Sequence, residues 1–305
     1  MMTPHATLAI FQDGGQFRFA FPGHSANNAR TIPTLRMLGE LLRRDGADTV
    51  RQAVCFVQYD DQAHNEMCSV AYGKRHHQAP LVRLIPDTYF YFSRGYQETR
   101  GFVASGQCRA WSLREPMIFW RGSPTTRWHR DDGTEIASVG EIPRVRLCEL
   151  LACDPRADAG LVGAWGDRFA HEDMLAYFAH GRILRPAVKM TEHANYRYQI
   201  DIDGVANAWG FFDKLLMGSC ILKVESPYRQ WFYDGIRAWE HYVPVSNDLS
   251  DLADRVDWCF ANEAQAQRIA QNGQAFALGH TFEAAVKLTL EAFSECCIPL
   301  PARSS

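Results

Sequence analysis

The chain has 305 residues, of which 47% are hydrophobic and 22% are charged, and its formal net charge is −3. This composition is typical of soluble globular domains with a sizeable core, and it offers no strong field for nucleic acid or an anionic membrane. No apolar run approaches the roughly 20 residues that span a bilayer, and the first residues do not resemble a secretory leader. Nine scattered cysteines fit neither a disulfide framework nor a Cys-x-x-Cys zinc pattern, which predicts a reducing, cytoplasmic compartment.

The first hundred residues alternate between strand-like and helix-like segments. Strands are predicted at residues 8–11, 17–21, 54–57 and 81–85. Residues 31–44 carry leucines at helical spacing and predict a helix. Its basic end, Arg43 and Arg44, is the feature on which a peripheral membrane contact would depend.

The rest of the chain predicts further strands and helices in alternation. Strands are expected at 117–120, 196–202, 220–224 and 242–245, and helices at 144–152, 206–217, 228–239, 249–260, 263–276 and 281–293. Such alternation indicates βαβ units and a mainly parallel sheet. A domain boundary is placed between residues 112 and 113, which gives domains 1–112 and 113–305, with the last helix a candidate to pack back on the first.

Residues 119–123 (FWRGS) are the most informative segment. An apolar strand ends there in an arginine, a glycine that lets another backbone or a ligand approach closely, and the hydroxyl of a serine. One interpretation is a strand that delivers Arg121 and Ser123 to a site. The other is a strand end and turn, with Arg121 in a structural ion pair.

Three other segments carry candidate chemistry. Asp60 and Asp61 follow the predicted strand 54–57, where a carboxylate could act as a general base or simply cap a turn. Residues 203–210 join a strand to a helix, and free N–H groups at such a helix start suit a diphosphate. Asp201 and Asp203 could hold a divalent ion, although this short pattern is often coincidental. The histidines at 64, 76 and 77 fit no ligand spacing.

These motifs, taken in order, resemble glycosyltransferase family 90, which includes capsule-associated transferases and eukaryotic protein O-glucosyltransferases. The resemblance runs from about residue 54 to 276. It rests on residues 119–123, on Pro143 and Arg144 before a leucine-rich helix, and on the segments 192–198, 203–204, 207–223, 239–245, 248–249 and 262–273.

The resemblance implies an α/β fold of the GT-B type, with two Rossmann-like domains and a donor cleft between them. It implies an inverting, metal-independent enzyme that moves a hexose or pentose, glucose or xylose first, from a UDP-sugar to a glycan hydroxyl. The implied catalytic base is Asp60, with Asp61 as the alternative. The implied donor-binding residues are Arg121, Ser123, Arg144, Asn207, Ala208, Trp209, Gly210, Phe211, Phe212 and Lys223. The acceptor side is expected to include Pro86, Asp87, Ser93 and Arg94.

Two departures from the family pattern affect this assignment. Gly210 stands where eukaryotic members have an arginine, whose duty would fall to Arg121 or Lys223. The insertion at 128–141 leaves Arg127 and Arg146 as alternatives to Arg144. The sequence shows no recognisable secretory or retention signal. In this respect it resembles the bacterial members of the family, which assemble lipopolysaccharide or capsule. The expected partners are a UDP-sugar and a glycan or glycolipid, and no cofactor, metal or nucleic acid is expected. The alternative is a catalytically silent protein that binds a nucleotide-sugar or a glycan.

Overall fold

The structure is a computed structural model. It describes residues 7–13, 16–21, 29–45, 53–59, 63, 67–78, 80–130, 133–165 and 168–299. Asp60, Asp61 and His64, three residues considered above, lie outside these ranges.

Short strands recur along the whole chain. In chain order they are β1 Thr7–Asp13, β2 Gln16–Ala20, β3 Ala53–Gln58, β4 Ser69–Ala71, β5 Lys74–Arg75, β6 Val82–Leu84, β7 Glu115–Gly122, β8 Ala157–Leu161, β9 Tyr196–Asp201, β10 Cys220–Val224, β11 Tyr228–Arg229, β12 Val243–Val245 and β13 Ile298–Pro299.

Helices alternate with these strands. They are α1 Thr31–Asp45, α2 Thr88–Phe92, α3 Gln97–Ala104, α4 Pro143–Leu151, α5 His171–His180, α6 Phe211–Leu216, α7 Leu252–Ala261, α8 Glu263–Gly279 and α9 Phe282–Cys296. None of the described helices is both long and apolar enough to cross a bilayer.

The chain packs as two compact units, each with its own main sheet. The first comprises Met1–Tyr96, Pro227–Asp234 and His280–Ser305, and the second comprises Gln97–Ser226 and Gly235–Gly279. Parallel pairing and interleaved helices confirm the α/β class in both units. The division between residues 112 and 113 stays a prediction; residues 97–112 pack with the second unit, and α9 packs with the first.

The first unit is a mixed sheet in the order β2-β1-β3-β4-β6, with β13 also paired to β3. β1 and β2, both predicted as strands, pair antiparallel, whereas β3, β4 and β6 run parallel. α9 lies against β3, β4 and β6, so the last helix covers this sheet.

The second unit is a wholly parallel sheet in the order β12-β10-β9-β7-β8. Its core combines Ile118 and Trp120 of β7 with Ile200 of β9, Leu222 of β10 and apolar residues of α4, α7 and α8. Full burial of an aliphatic side chain such as Ile200 stabilises the fold by about 1.5–3 kcal/mol.

Two predicted helices differ from the structure. The helix expected at 206–217 starts only at Phe211, because residues 204–210 form a turn in which the Gly204 N–H donates to the Ala206 carbonyl. The helix expected at 228–239 is wrong: Tyr228–Arg229 pairs with β5 as a strand. Gly235 follows, where a Cβ would lie 2.6 Å from the Phe276 ring. Sheet pairing has overridden local helix preference here.

Candidate functional site

The strand order of the second unit changes direction at β7, next to the carboxyl ends of its strands. β7 lies between β8 and β9, so the chain leaves β7 toward β8 on one side and later continues through β9, β10 and β12 on the other. At such a switch in strand order, ligands bind outside the carboxyl ends of the strands. Residues 123–126 and 202–206 leave β7 and β9 at this place, which we term the carboxyl edge.

Arg144 joins the two strand ends at the carboxyl edge. Its Nη1 donates to the Ser123 carbonyl at 3.1 Å and to Thr125 Oγ1 at 2.8 Å. Its Nε and Nη2 each donate at 2.9 Å, to the Asp203 and Ile202 carbonyls. These bonds use all but one of the N–H donors of the guanidinium. Arg144 therefore ties the ends of β7 and β9 together, and one Nη2 hydrogen is left without an acceptor among the described residues.

A second chain of polar groups lies beside Arg144. The Ser226 hydroxyl donates to Asp203 Oδ2, and Asn207 Nδ2 donates to Ser226 Oγ at 3.3 Å. Burial raises the pKa of Asp203, partly offset by Lys223 and by the Ser226 hydrogen bond. Its other oxygen, Oδ1, is buried and has no hydrogen-bond partner in the described part of the chain.

Below this chain of groups lies a buried triad of ions. Asp201 is fully buried, and its two oxygens each accept a hydrogen bond at 2.9 Å, one from Lys214 Nζ and one from Lys223 Nζ. Lys214 Nζ also donates to the Ile200 carbonyl at 2.9 Å. Burial opposes ionisation of Asp201, but the two lysines outweigh it and hold the pKa of this carboxyl below its usual range.

The charges at the carboxyl edge leave a positive excess. Three cations, Arg144, Lys214 and Lys223, stand against two carboxylates, Asp201 and Asp203. Among these five side chains the net charge is therefore at least one positive unit, in a partly buried setting where charge is weakly screened. Such an excess favours an anionic ligand.

Gly204 is required by this packing. A Cβ at this position would lie 2.6 Å from Thr125 Oγ1 and 3.2 Å from the Arg144 guanidinium. Gly210 differs, because the nearest atom to a Cβ there is Met190 Cε at 3.6 Å, an ordinary contact.

The predicted donor residues gather near the carboxyl edge to different degrees. Ser123 follows β7 directly, is half-buried, and its hydroxyl makes no hydrogen bond to the described residues. The segment 207–212 leads from the same edge into α6. Its buried members are Asn207, Phe211 and Phe212, and its half-buried members are Ala208, Trp209 and Gly210. Their contact with a donor stays a prediction.

Two of the predicted donor-binding cations pair with carboxylates of the protein itself. Arg121 Nη2 contacts both oxygens of Asp158 on β8, at 2.8 and 2.7 Å, and the Arg121 guanidinium lies 4.6 Å from the Phe119 ring. This geometry favours the structural ion pair among the two interpretations of Arg121. Lys223 is buried and paired with Asp201, and its Nζ lies 4.6 Å from the centroid of the Phe211 ring.

The predicted acceptor-side residues lie in the first unit, around α2. Pro86 is buried, and Asp87 caps the helix by accepting from the Phe90 N–H at 2.9 Å. Ser93 ends the helix and accepts from the Tyr96 N–H at 3.0 Å, while the Arg94 guanidinium lies 5.2 Å from the Phe282 ring. Each contact is structural, so an acceptor role stays a prediction.

Sequence reasoning missed Thr125, Lys214 and Ser226. The sequence does indicate that Lys214 and Lys223 are paired with a carboxylate. Each is a lysine inside an apolar segment (FFDKLL and CILKV), and a lysine that is buried needs such a partner. Thr125 and Ser226 gave no such signal, since a hydroxyl after a strand is common. Within the described ranges, no three His, Cys, Asp or Glu side chains are grouped to hold a metal ion.

Sequence comparison identifies curated relatives that are much longer than the matched segments. Human Protein O-glucosyltransferase 3 is 40% identical over 169 residues, which cover 55% of this chain and 29% of the relative. Protein O-glucosyltransferase 2 of Danio rerio is 29% identical over 170 residues, covering 56% and 30%. The chain thus spans less than a third of the length of these relatives.

Solved structures give a more distant likeness. HepE of Anabaena, in complex with UDP and glucose, aligns with a TM-score of 0.44 at 12% identity over 71% of this chain and 57% of that one. A glycosyltransferase of Rickettsia africae gives 0.45 at 14% identity over 76% and 64%. Likeness at this level carries no argument about function.

The family comparison is the most extensive. The model described as Glycosyl transferase family 90 matches residues 96–286, which is more than half of the chain. This range includes the whole carboxyl edge, whereas residues 54–95, with the predicted base, fall outside it. The predicted family is confirmed: the chain belongs to glycosyl transferase family 90.

Proposed function

We propose that this chain is an inverting, metal-independent glycosyltransferase of the GT-B type that uses a UDP-sugar. The sugar is glucose or xylose, and the names of the curated relatives, protein O-glucosyltransferases, favour glucose. The supporting observation is the carboxyl edge itself, which combines an excess positive charge, the available Ser123 hydroxyl and the turn at 204–210.

In the proposed reaction, Asp60, or Asp61, takes the proton of the acceptor hydroxyl as its oxygen attacks the anomeric carbon. The bond between that carbon and the UDP oxygen breaks on the opposite side, which inverts the configuration. Negative charge then develops on the diphosphate. The remaining Arg144 N–H, backbone N–H groups of the 207–212 segment and the positive excess meet that charge without a metal.

The acceptor is proposed to be a hydroxyl on a glycan or glycolipid of the lipopolysaccharide or capsule type. A protein hydroxyl is the competing acceptor, because the curated relatives are named for protein O-glucosylation. The proposed setting is the cytoplasm, with peripheral contact at the inner membrane face through α1.

A silent sugar-nucleotide or glycan-binding protein is the second candidate, and one observation favours it. Arg121, Arg144 and Lys223, the cations expected to serve the diphosphate, all bond to the protein itself. Gly210 adds no charge. Such an edge would bind a nucleotide yet stabilise the transition state weakly.

UDP release from UDP-glucose, with hydroxyl-bearing glycans or serine peptides added, separates the two candidates. Transfer predicts release that persists in excess EDTA and falls by about 10²–10⁴-fold in Asp60→Asn or Asp61→Asn. Unchanged release in both variants contradicts the assigned base. UDP binding without release supports the silent protein, and a thermal-shift panel of UDP-, GDP- and TDP-sugars identifies the nucleotide.

A further inference from the structure

A pocket lies at the opposite, amino end of the parallel sheet of the second unit. It has a volume of about 260 Å³ and is lined by Trp239, Trp258, Gln265, Arg268, Ile269 and Asn272. Trp239 precedes β12 by four residues, so this surface is remote from the carboxyl edge. We propose that it binds an uncharged glycan, independently of the sugar transfer proposed above.

Trp239 is held in an unusual, exposed position. Its φ is +64°, a conformation that bulky residues rarely adopt, and 42% of its surface is exposed. Its backbone N–H donates to the Tyr242 carbonyl at 2.7 Å, and this bond closes the loop. Strain of this kind persists where the surroundings enforce it and is concentrated at functional sites.

Neighbouring groups fix the orientation of this indole. The Trp258 and Trp239 rings form a T-shaped pair with centroids 4.8 Å apart, and the Arg255 guanidinium lies over one face of the Trp239 ring, 5.2 Å from its centroid. Arg255 is itself paired to Asp251 at 2.8 Å. The loop also lies close to α8, because a Cβ on Gly273 would be 2.8 Å from the His241 carbonyl. The pocket wall is therefore preorganised.

The other wall is polar and available. Gln265, Arg268 and Asn272 recur at three- and four-residue spacing, so they share one face of α8, and all three are exposed. Asn272 Nδ2 donates to the Glu240 carbonyl at 3.1 Å, which orients its amide. The side chains of Gln265 and Arg268 make no hydrogen bond or ion pair with the described residues.

This combination matches the chemistry of a sugar ring. A pyranose has an apolar face of C–H groups, which packs on the face of an indole, and a rim of hydroxyls, which bonds to amides and guanidinium groups. The volume is near the lower end for ligand pockets and suits about one ring. Arg268 is the only cation among the lining residues, so a phosphorylated ligand would find little charge there.

The test is native electrophoresis of the full chain in gels that contain glycogen, laminarin or xylan. Retardation is expected in at least one gel. It should weaken by at least about tenfold in apparent affinity in Trp239→Ala, and also in the helix-surface variant Arg268→Ala. Trp165→Ala, which removes an indole that is 64% exposed outside the pocket, should migrate as the parent does.

Three results would overturn the proposal: no retardation in any gel, retardation of both pocket variants equal to that of the parent, or loss of retardation in excess UDP. The last would move glycan binding to the carboxyl edge. Arg268→Ala keeps the test decisive if Trp239→Ala fails to fold, because Arg268 is exposed on a helix. UDP binding measured by thermal shift in the parent protein reports separately on the proposed transferase.

Discussion

The two edges of the parallel sheet in the second unit place their polar groups in opposite ways. At the carboxyl edge, Arg144, Lys214 and Lys223 direct their charges into the protein, onto carbonyls and Asp201. At the opposite end of the sheet, which we term the amino edge, Gln265 and Arg268 are exposed beside the exposed indole of Trp239. Charge at the first edge thus holds the protein together, whereas at the second it is exposed and can contact a ligand directly.

The largest expected effect tests whether the buried ions at the carboxyl edge are structural. Asp201→Asn leaves Lys214 and Lys223 buried without their carboxylate and should lower the free energy of unfolding by about 3–5 kcal/mol. Urea denaturation measures this. Asp254→Asn, on the exposed face of α7, is the matched control and should change stability by less than about 0.5 kcal/mol.

The next effect concerns Arg144. Arg144→Lys keeps the charge but loses the planar fork that joins the carbonyls of Ser123, Ile202 and Asp203. A loss of about 2–4 kcal/mol in unfolding free energy is expected, because buried carbonyls lose their donors. If stability is unchanged and only UDP affinity falls, Arg144 has no structural role and the contrast between the edges is wrong.

A matched pair of glycines tests the close packing around Arg144. Gly204→Ala forces a Cβ against Thr125 and Arg144 and should cost about 1–3 kcal/mol of stability. Gly210→Ala meets only ordinary contacts, so a change below about 1 kcal/mol is expected. Thermal unfolding of both variants gives the comparison. Equal losses would mean that Gly204 is not tightly packed against Thr125 and Arg144.

The smallest effect is a pH dependence next to the ion triad. Burial raises the pKa of Asp213, on α6, from 3.8 to about 6. The folded state therefore binds this proton more tightly, so the stability from the neutral carboxyl is complete below about pH 4 and is lost as pH rises through 6. Asp213→Asn should be about 1–2 kcal/mol more stable than the parent at about pH 8 and no more stable at about pH 4. A constant difference across this range would contradict the assigned pKa.

The sequence predicted the parallel sheet and its edge better than the roles of single charges. β7, β9 and β10 were predictable because apolar runs bounded by turns are typical of inner strands. β8 (ADAGL) was missed, since small and acidic residues dilute its apolar pattern. Its Asp158 then determines what Arg121 contacts, so one missed edge strand left the role of that arginine open.

Long-range geometry also explains why Arg144 was identified but not understood. Phosphate matches a guanidinium fork, and so do the carbonyls at two strand ends. The strand order that brings residues 123 and 202 together was not available from spacing alone. The same holds for the amino-edge pocket, where a loop before β12 meets one face of α8.

Hydrogen–deuterium exchange of the full chain with and without UDP reports whether the donor binds at the carboxyl edge. We expect slower amide exchange in residues 123–126 and 203–212 when UDP is present, and unchanged exchange in residues 237–242 and 265–272. Protection at the amino edge alone, or none in either region at saturating UDP, would contradict it.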